Sequence, residues 1–317
     1  MKAVCLDSGQ VSVQETPDPQ RLPGFALIRM RAAGICNTDL ELQRGYYQFQ
    51  GVPGHEFVGE VLESDAPDLI GRRVAGEINL PCGHCDFCAI GLGRHCANRS
   101  VLGIVKHPGA FAELLTLPDQ NLHVLSSEVS DEEAVFIEPL AAACEVLDQV
   151  VLLPGEKVAV LGDGKLGLLM AQVLHAHGAQ VTVFGRHRSK LAIVAVHGIA
   201  VSTSEEYPGG YFPLVVECTG SAAGLHTAIQ MVRPRGTVVM KSTVHEKVSI
   251  DTAPVIVNEI SLIGSRCGRF EPAIQLLQDR KIDVHSLLSA EFPLDQAPAA
   301  FAEAARKGVL KVLLRNT

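Results

Sequence analysis

Short apolar runs broken by turn residues open the chain. Val11-Ser12-Val13 and residues 26–31 read as strands, with Pro17-Asp18-Pro19 and Pro23-Gly24 as breakers. Residues 109–125 return to strands. Ser130-Asp131-Glu132-Glu133 reads as a helix start, with a serine cap and acid in the first turn. A second helix begins at Glu138-Pro139, where the missing N–H of proline costs little. Its buried stripe is Leu140, Ala143, Cys144 and Leu147.

The middle of the chain carries a different pattern. Val158, Ala159, Val160 and Leu161 form an apolar run, followed by Gly162-Asp163-Gly164-Lys165-Leu166-Gly167. Apolar residues then recur at Leu166, Leu169, Met170, Val173 and Leu174, one face of a helix. A strand, a tight glycine turn and a helix in that order predict a dinucleotide site. Gly162 permits the turn, Gly164 admits a pyrophosphate and Gly167 lets helix and strand pack closely. The free N–H groups at the helix start face the phosphates. Residues 180–184 form a second strand. Residues 213–220 form a buried strand ending in a cofactor-side turn at Thr219, and residues 236–240 and 260–264 complete a parallel sheet. Residues 207–210 read as a loop. After Gly268 a helix carries Phe270, Ala273, Ile274 and Leu277; a helix over 296–307, stopped by Gly308, and a strand over 310–314 return to the first domain. The chain is expected to split into 1–139 with 267–317, and 140–266.

Composition narrows this picture. The 317 residues favour two domains, and 47% hydrophobic residues supply two cores. A net charge of -8 and the absence of a basic block argue against nucleic acid as a partner. The N-terminal residues 1–6 read as a strand and not as a signal peptide, and no apolar run is long enough to span a bilayer. A cytoplasmic protein without a membrane partner is expected. Nine cysteines in such a setting point to metal binding or catalysis before disulfides. Cys5, Cys144, Cys218 and Cys267, in apolar surroundings, read as packing residues.

The other cysteines are spaced for metal. Cys82, Cys85, Cys88 and Cys96 make C-x2-C-x2-C-x7-C, which matches the closed thiolate set of a structural zinc. Iron–sulfur clusters use other spacings, and a cytosolic setting disfavours two disulfides. His84 and His95 lie inside this lobe and read as exposed loop residues. Cys36 and the pair His55-Glu56, taken singly, are unremarkable.

Together these motifs resemble the zinc-dependent medium-chain alcohol dehydrogenase family, in its polyol, sugar and threonine dehydrogenase branch. The resemblance is carried by Gly34-Ile35-Cys36 with Thr38-Asp39, by Gly54-His55-Glu56 with Gly59-Glu60, and by the four-cysteine lobe. It continues through residues 109–113, Glu138-Pro139-Leu140 and the central glycine turn. It implies an α/β fold, a Rossmann doubly wound parallel sheet plus a mainly β GroES-like catalytic domain. It also implies two zinc ions per chain. Cys36 and His55 are similar to ligands of a catalytic zinc. Glu138 is similar to a third ligand or a partner of the zinc water, and Glu56 to a glutamate beside the metal that can ligate it. Thr38 resembles the hydroxyl that passes on the substrate proton, Asp39 a residue supporting the ligands, and Glu41 the last relay group, where many members carry histidine. The strand over 260–264 resembles one that family members pair across a dimer, so a homodimer or homotetramer is expected. The intervals between Cys36 and His55 and around residues 65–71 are trimmed, and Tyr46, Tyr47 and Phe49 are candidates for the substrate wall.

The second strand of the dinucleotide site ends at Gly185, where NAD enzymes usually place an acid, and Arg186-His187-Arg188 follows. A carboxylate 4 Å from a 2′-phosphate would repel it by about 4 kcal/mol at an effective dielectric of 20, about three decades of affinity. NADP is therefore expected over NAD, with Lys165, Leu166, Gly185, Arg186, Arg188 and Thr219 added to the three glycines as cofactor residues. The expected activity is hydride transfer between NAD(P) and a secondary alcohol, polyol or sugar hydroxyl or its carbonyl. The alternatives are a primary alcohol or aldehyde reductase of the same family, and a non-catalytic NADPH-binding redox sensor.

Overall fold

Near-continuous apolar strands need cover on both faces, whereas alternating strands need it on one. The computed structural model, which describes residues 1–203, 211–243 and 247–316, builds one unit from each kind of strand. The first unit is Met1–Glu138 with Leu288–Thr317; the second is Pro139–Leu287. The expected loop over 207–210 lies outside the described residues.

In the second unit six parallel strands stand in the order Ala200–Thr203, Gln180–Gly185, Lys157–Leu161, Phe212–Glu217, Val232–Met240 and Ser261–Gly264. This is the doubly wound order, in which ligands bind at the carboxyl ends where the winding reverses. The register places Leu161 beside both Phe184 and Glu217, so three strand ends, and the turns after them, lie side by side. Val158, Ala159 and Val160 are fully buried. Helix Lys165–Ala176 is buried from Gly167 through Leu174, more completely than a one-faced stripe requires. Its outer side is covered too, where Gln172 donates to the Asp283 carbonyl at 3.0 Å and accepts from the Asp283 N–H at 2.7 Å.

Those bonds also explain a correction. The chain returns to the first unit at Leu288, not at residue 267. Helix Phe270–Gln278 and the turn after it stay with the parallel sheet. Lys241 Nζ further ties this segment down by donating to the carbonyls of Ala142 (2.6 Å) and Arg266 (2.7 Å).

The first unit is mainly β. Strands Leu122–Val124, Arg73–Gly76, Glu56–Glu63, Phe25–Ile35, Lys311–Arg315 and Leu288–Pro293 form one sheet in that order, and Leu114–Pro118 pairs with part of Phe25–Ile35. Helix Asp131–Val135 starts on the capping box of Ser130 and Glu133. The next helix, Ile137–Gln149, begins one residue before Glu138. No helix among the described residues is long and apolar enough to cross a membrane.

Arg315, at the end of the last strand, joins the tail to helix Asp131–Val135. It bonds Glu132, and its Nε lies 2.7 Å from Glu291. Burial works to raise the Glu132 carboxyl, but hydrogen bonds from its own backbone N–H, Arg315 and Ser130 hold it down to about 2. A carboxyl depressed on folding adds stability above its unfolded value near 4.5 and loses it as pH falls toward 2. Arg315→Ala is expected to lower unfolding free energy at pH 7 by about 1 kcal/mol. Denaturant melts should show its difference from the parent shrinking as pH is lowered through that window.

Candidate functional site

The four-cysteine segment folds back on itself within one small lobe. Sγ separations are 3.5 Å (Cys85–Cys88), 3.6 Å (Cys85–Cys96), 3.5 Å (Cys96–Cys82) and 4.0 Å (Cys82–Cys88). Four sulfurs bound tetrahedrally at 2.3 Å would stand about 3.8 Å apart. The separations are far beyond a disulfide bond. The backbone N–H of His84 leads the hydrogen bonds that pull the Cys82 thiol down to about 6, favouring the thiolate a metal needs. Zinc fits this set.

A second set is assembled from distant parts of the sequence. Cys36 caps helix Asn37–Gln43, and Asp39, three residues on, accepts the Cys36 N–H at 2.8 Å. The other Asp39 oxygen accepts the Gly54 N–H at 3.2 Å and stands 3.4 Å from His55 Nδ1. One buried carboxylate thus fixes both the Cys36 turn and the His55 turn. The ligand atoms of Cys36, His55 and Glu56 all lie within 4.8 Å of one another. Burial disfavours a charged His55, but the Asp39 carboxylate overrides it and holds the imidazole well above its usual range.

Lys311 completes this surround. The register sets Glu56 opposite Gly34, and Gly34 opposite Leu313, so the lysine crosses above Gly34 to reach the glutamate. Lys311 Nζ bonds Glu56 Oε2, with both side chains at 0% exposure. Its ammonium also sits 5.6 Å from the Phe136 ring centre. A Cβ on Gly34 would lie 2.7 Å from Glu56 Oε2 and 3.2 Å from Lys311 Cδ, so only glycine leaves room for the pair.

His55 Nδ1 and Glu56 Oε1 are buried without a hydrogen-bond partner among the described residues. Taking Cys36 as thiolate and His55 as the neutral imidazole that a metal needs, the site has three negative groups (with Glu56 and Asp39) against one lysine. A divalent cation balances that sum, and the mixed S, N, O donors suit zinc. Glu138 is half-buried in the first turn of its helix and is not part of the three-atom group.

The other relay candidates are placed as follows. The Thr38 hydroxyl stands 3.9 Å from Cys36 Sγ. Glu41 pairs with Arg44 at 2.6 Å along the same helix. Tyr47 and Phe49 line a 470 Å³ cavity with Arg99 and Lys106, and the ring centres of Tyr46 and Tyr47 are 4.0 Å apart.

The dinucleotide turn opens a 340 Å³ pocket at the strand ends. Gly162, Gly164, Gly185, Arg186 and Thr219 line it. Gly167 lies beneath, where a Cβ would come within 2.1 Å of the Gly162 carbonyl oxygen. Lys165 and Leu166 begin helix Lys165–Ala176 and Arg188 begins helix Arg188–Ala195; none of the three lines the pocket. Thr219 is fixed by the buried Glu217, which accepts both its N–H and its hydroxyl at 2.5 Å.

Sequence reasoning missed Lys311, Asp163 and His187. A lone lysine at the head of the apolar run Val312-Leu313-Leu314 was a signal for the first. Asp163, in the variable position of the glycine turn, carried none.

Comparison with known proteins identifies the family. Residues 22–127 match the family model described as alcohol dehydrogenase GroES-like domain, and residues 166–279 the one described as zinc-binding dehydrogenase. The chain is 31% identical to D-altritol 5-dehydrogenase of Agrobacterium fabrum, over 92% of each chain. It is 28% identical to sorbitol dehydrogenase of Halalkalibacterium halodurans, over 97% of this chain and 96% of that one. A Sinorhizobium meliloti 1021 structure assigned to the zinc-binding dehydrogenases, solved with NADP, superposes with a TM-score of 0.92 at 29% identity, covering 99% of both chains.

Lys311→Met is expected to leave Glu56 buried and unpaired, at a cost of about 3–5 kcal/mol. Thermal and denaturant unfolding should show this loss, and adding Glu56→Gln should recover most of it. An unchanged midpoint in the single variant would refute the pairing.

Proposed function

We propose that this chain, which belongs to the zinc-dependent medium-chain alcohol dehydrogenase family, oxidises a secondary alcohol, polyol or sugar hydroxyl and reduces the matching carbonyl, with NADP preferred over NAD. Members of this family are NAD(P)-dependent oxidoreductases acting on small-molecule hydroxyl groups, and the relatives named for altritol and sorbitol support a polyol or sugar substrate. The observation that carries the reading is the group of half-buried Cys36 with buried His55 and Glu56, three donors whose ligand atoms lie within 4.8 Å of one another, in addition to a separate set of four thiols. Three protein ligands and an open position characterise a catalytic zinc; four closed thiolates characterise a structural one.

In this reading Cys36, His55 and Glu56 hold the first zinc, with Glu138 a further carboxylate available to it, and Cys82, Cys85, Cys88 and Cys96 hold the second. When bound, zinc would supply Lewis acidity at the substrate oxygen and a nicotinamide would supply the hydride acceptor. The chain's own groups do the rest. The Thr38 hydroxyl, next to Cys36 Sγ, takes the substrate proton and passes it toward Glu41. Asp39 keeps the Cys36 and His55 turns in register, and Lys311 engages Glu56 Oε2, which leaves the buried, unpartnered Oε1 for a metal.

The preference for NADP is supported by Arg186 in the pocket lining and by Gly185, which adds no charge to that of the Asp163 carboxylate already engaged by the Arg186 and His187 N–H groups. A guanidinium is well suited to a 2′-phosphate. The NADP-bound relative adds support.

The test is a screen of NADP+ and NAD+ reduction over polyols, aldoses, secondary and primary alcohols and 3-hydroxy amino acids, with zinc measured on the same samples. We expect about two zincs per chain. Glu56→Gln and Glu138→Ala should lose activity by roughly a hundredfold and weaken the first zinc, leaving the four-thiol site loaded. Full zinc and full activity in both variants would refute the ligand assignment, and tighter NAD than NADP binding would refute the cofactor preference.

A homodimer or homotetramer is part of the proposal. Strand Ser261–Gly264 ends the six-stranded sheet with one edge open, and the neighbouring Ile256 and Val257 are 72% and 79% exposed. An open strand edge beside exposed apolar side chains favours pairing with another copy. Sedimentation equilibrium should give two or four chain masses, and a monomer at micromolar concentration would refute it.

A further inference from the structure

The end of strand Gln180–Gly185 lacks an acidic side chain of its own, yet it does not lack a carboxylate. Asp163, from the glycine turn of the neighbouring strand, reaches across to it. Its Oδ2 accepts the backbone N–H groups of Arg186 at 2.7 Å and His187 at 2.6 Å. The ring Nδ1 of His187 stands 3.0 Å from the same oxygen and 3.2 Å from Oδ1. Asp163 is only 8% exposed, and it lines the pocket together with Gly185, Arg186 and His187. Burial acts to raise its carboxyl, but the backbone and ring of His187 outweigh burial and lower it, so the group is a carboxylate.

Gly185 is constrained by this carboxylate and not by its own backbone, which lies in strand conformation. A Cβ there would come within 2.6 Å of Asp163 Cβ and 2.7 Å of Oδ2. No side chain fits at 185 while Asp163 holds the turn. The reverse also follows. An acid at 185 would occupy the space Asp163 uses to hold the Arg186 and His187 N–H groups.

We propose that Asp163 and Gly185 act as a mutually exclusive pair that sets the dinucleotide selectivity of this pocket. Asp163 is a positioning residue: it holds the turn that presents Arg186 and His187, with its own oxygens engaged by that turn. By filling the space above Gly185 it bars the ribose-binding acid that would favour NAD. The proposal rests on this pocket taking the adenosine end of the cofactor. It goes beyond the NADP reading by naming the residue outside the strand that enforces the absence of an acid.

The test is a double-variant cycle read by equilibrium binding of NADH and NADPH to the purified full chain. Gly185→Asp alone should weaken both dinucleotides by at least roughly tenfold, or fail to fold, because two carboxylates compete for one space. Asp163→Gly/Gly185→Asp should fold and bind NADH within about threefold of the parent, and disfavour NADPH by roughly a hundredfold relative to NADH. Asp163→Asn, which keeps the shape and one acceptor oxygen, should move the NADPH-to-NADH ratio by less than about threefold. The proposal is overturned if Gly185→Asp alone binds NADH as tightly as the double variant, or if the double variant recovers nothing. It is also overturned if Asp163→Asn shifts the ratio tenfold or more toward NADPH, since Asp163 would then face the ribose as a free acceptor. A parent that prefers NADH would remove the NADP reading alone, because the coupling between 163 and 185 is read from the cycle whichever dinucleotide the parent favours.

Discussion

An ammonium and a carboxylate at zero exposure, Lys311 and Glu56, impose the strictest demand in the first unit. Removing either charge from water costs several kcal/mol, so neither can be buried there alone. Burial works to neutralise Lys311, and the charges of Glu56 and Cys36 hold its pKa above the ordinary lysine value. The pair needs three adjacent strands, with Gly34 in the middle one. The last strand of the chain therefore has to return beside Phe25–Ile35 before Glu56 has its counter-charge. This makes the Cys36, His55 and Glu56 group a product of the whole first unit rather than of any one segment.

The two candidate metal-ligand sets contrast in this respect. The four thiols come from residues 82–96, and their separations are set within one lobe closed by short turns. Such a set is legible from spacing alone, because each ligand is a few residues from the next. The other set joins a helix cap at Cys36 to a strand entry at His55, and Asp39 makes the join by accepting N–H groups from both turns. Spacing says nothing about that bond. The resemblance to a family pointed to Cys36, His55, Glu56 and Glu138, while the geometry groups only Glu56 with the first two and adds a lysine from the far end of the chain.

In the second unit the governing constraint is the shared level of the strand ends. Parallel pairing sets Leu161 beside Phe184 and Glu217, so the turns after three strands form one pocket rim. Carboxylates from those turns then bond the neighbouring backbone. Glu217 holds Thr219, and Asp163 holds Arg186 and His187. Each carboxylate carries out a task of shape in a place where sequence pattern alone would suggest a ligand contact or nothing.

Local signals were strong enough to determine much of this protein from sequence. The apolar runs of the parallel sheet, the glycine turn, the capping box at Ser130 and the cysteine spacing each depend on residues within about one turn or strand of one another. The order of those segments was enough to indicate an α/β fold split around a dinucleotide-binding unit. Tertiary structure alone decided the return of the chain at Leu288, which rests on Gln172 bonding Asp283. It alone decided the burial of Lys311 against Glu56 and the closing of Asp163 over Gly185. The physical reason is common to all three. A buried polar group must find its partner, and here each partner lies on a different element, brought near by strand register and packing rather than by distance along the chain.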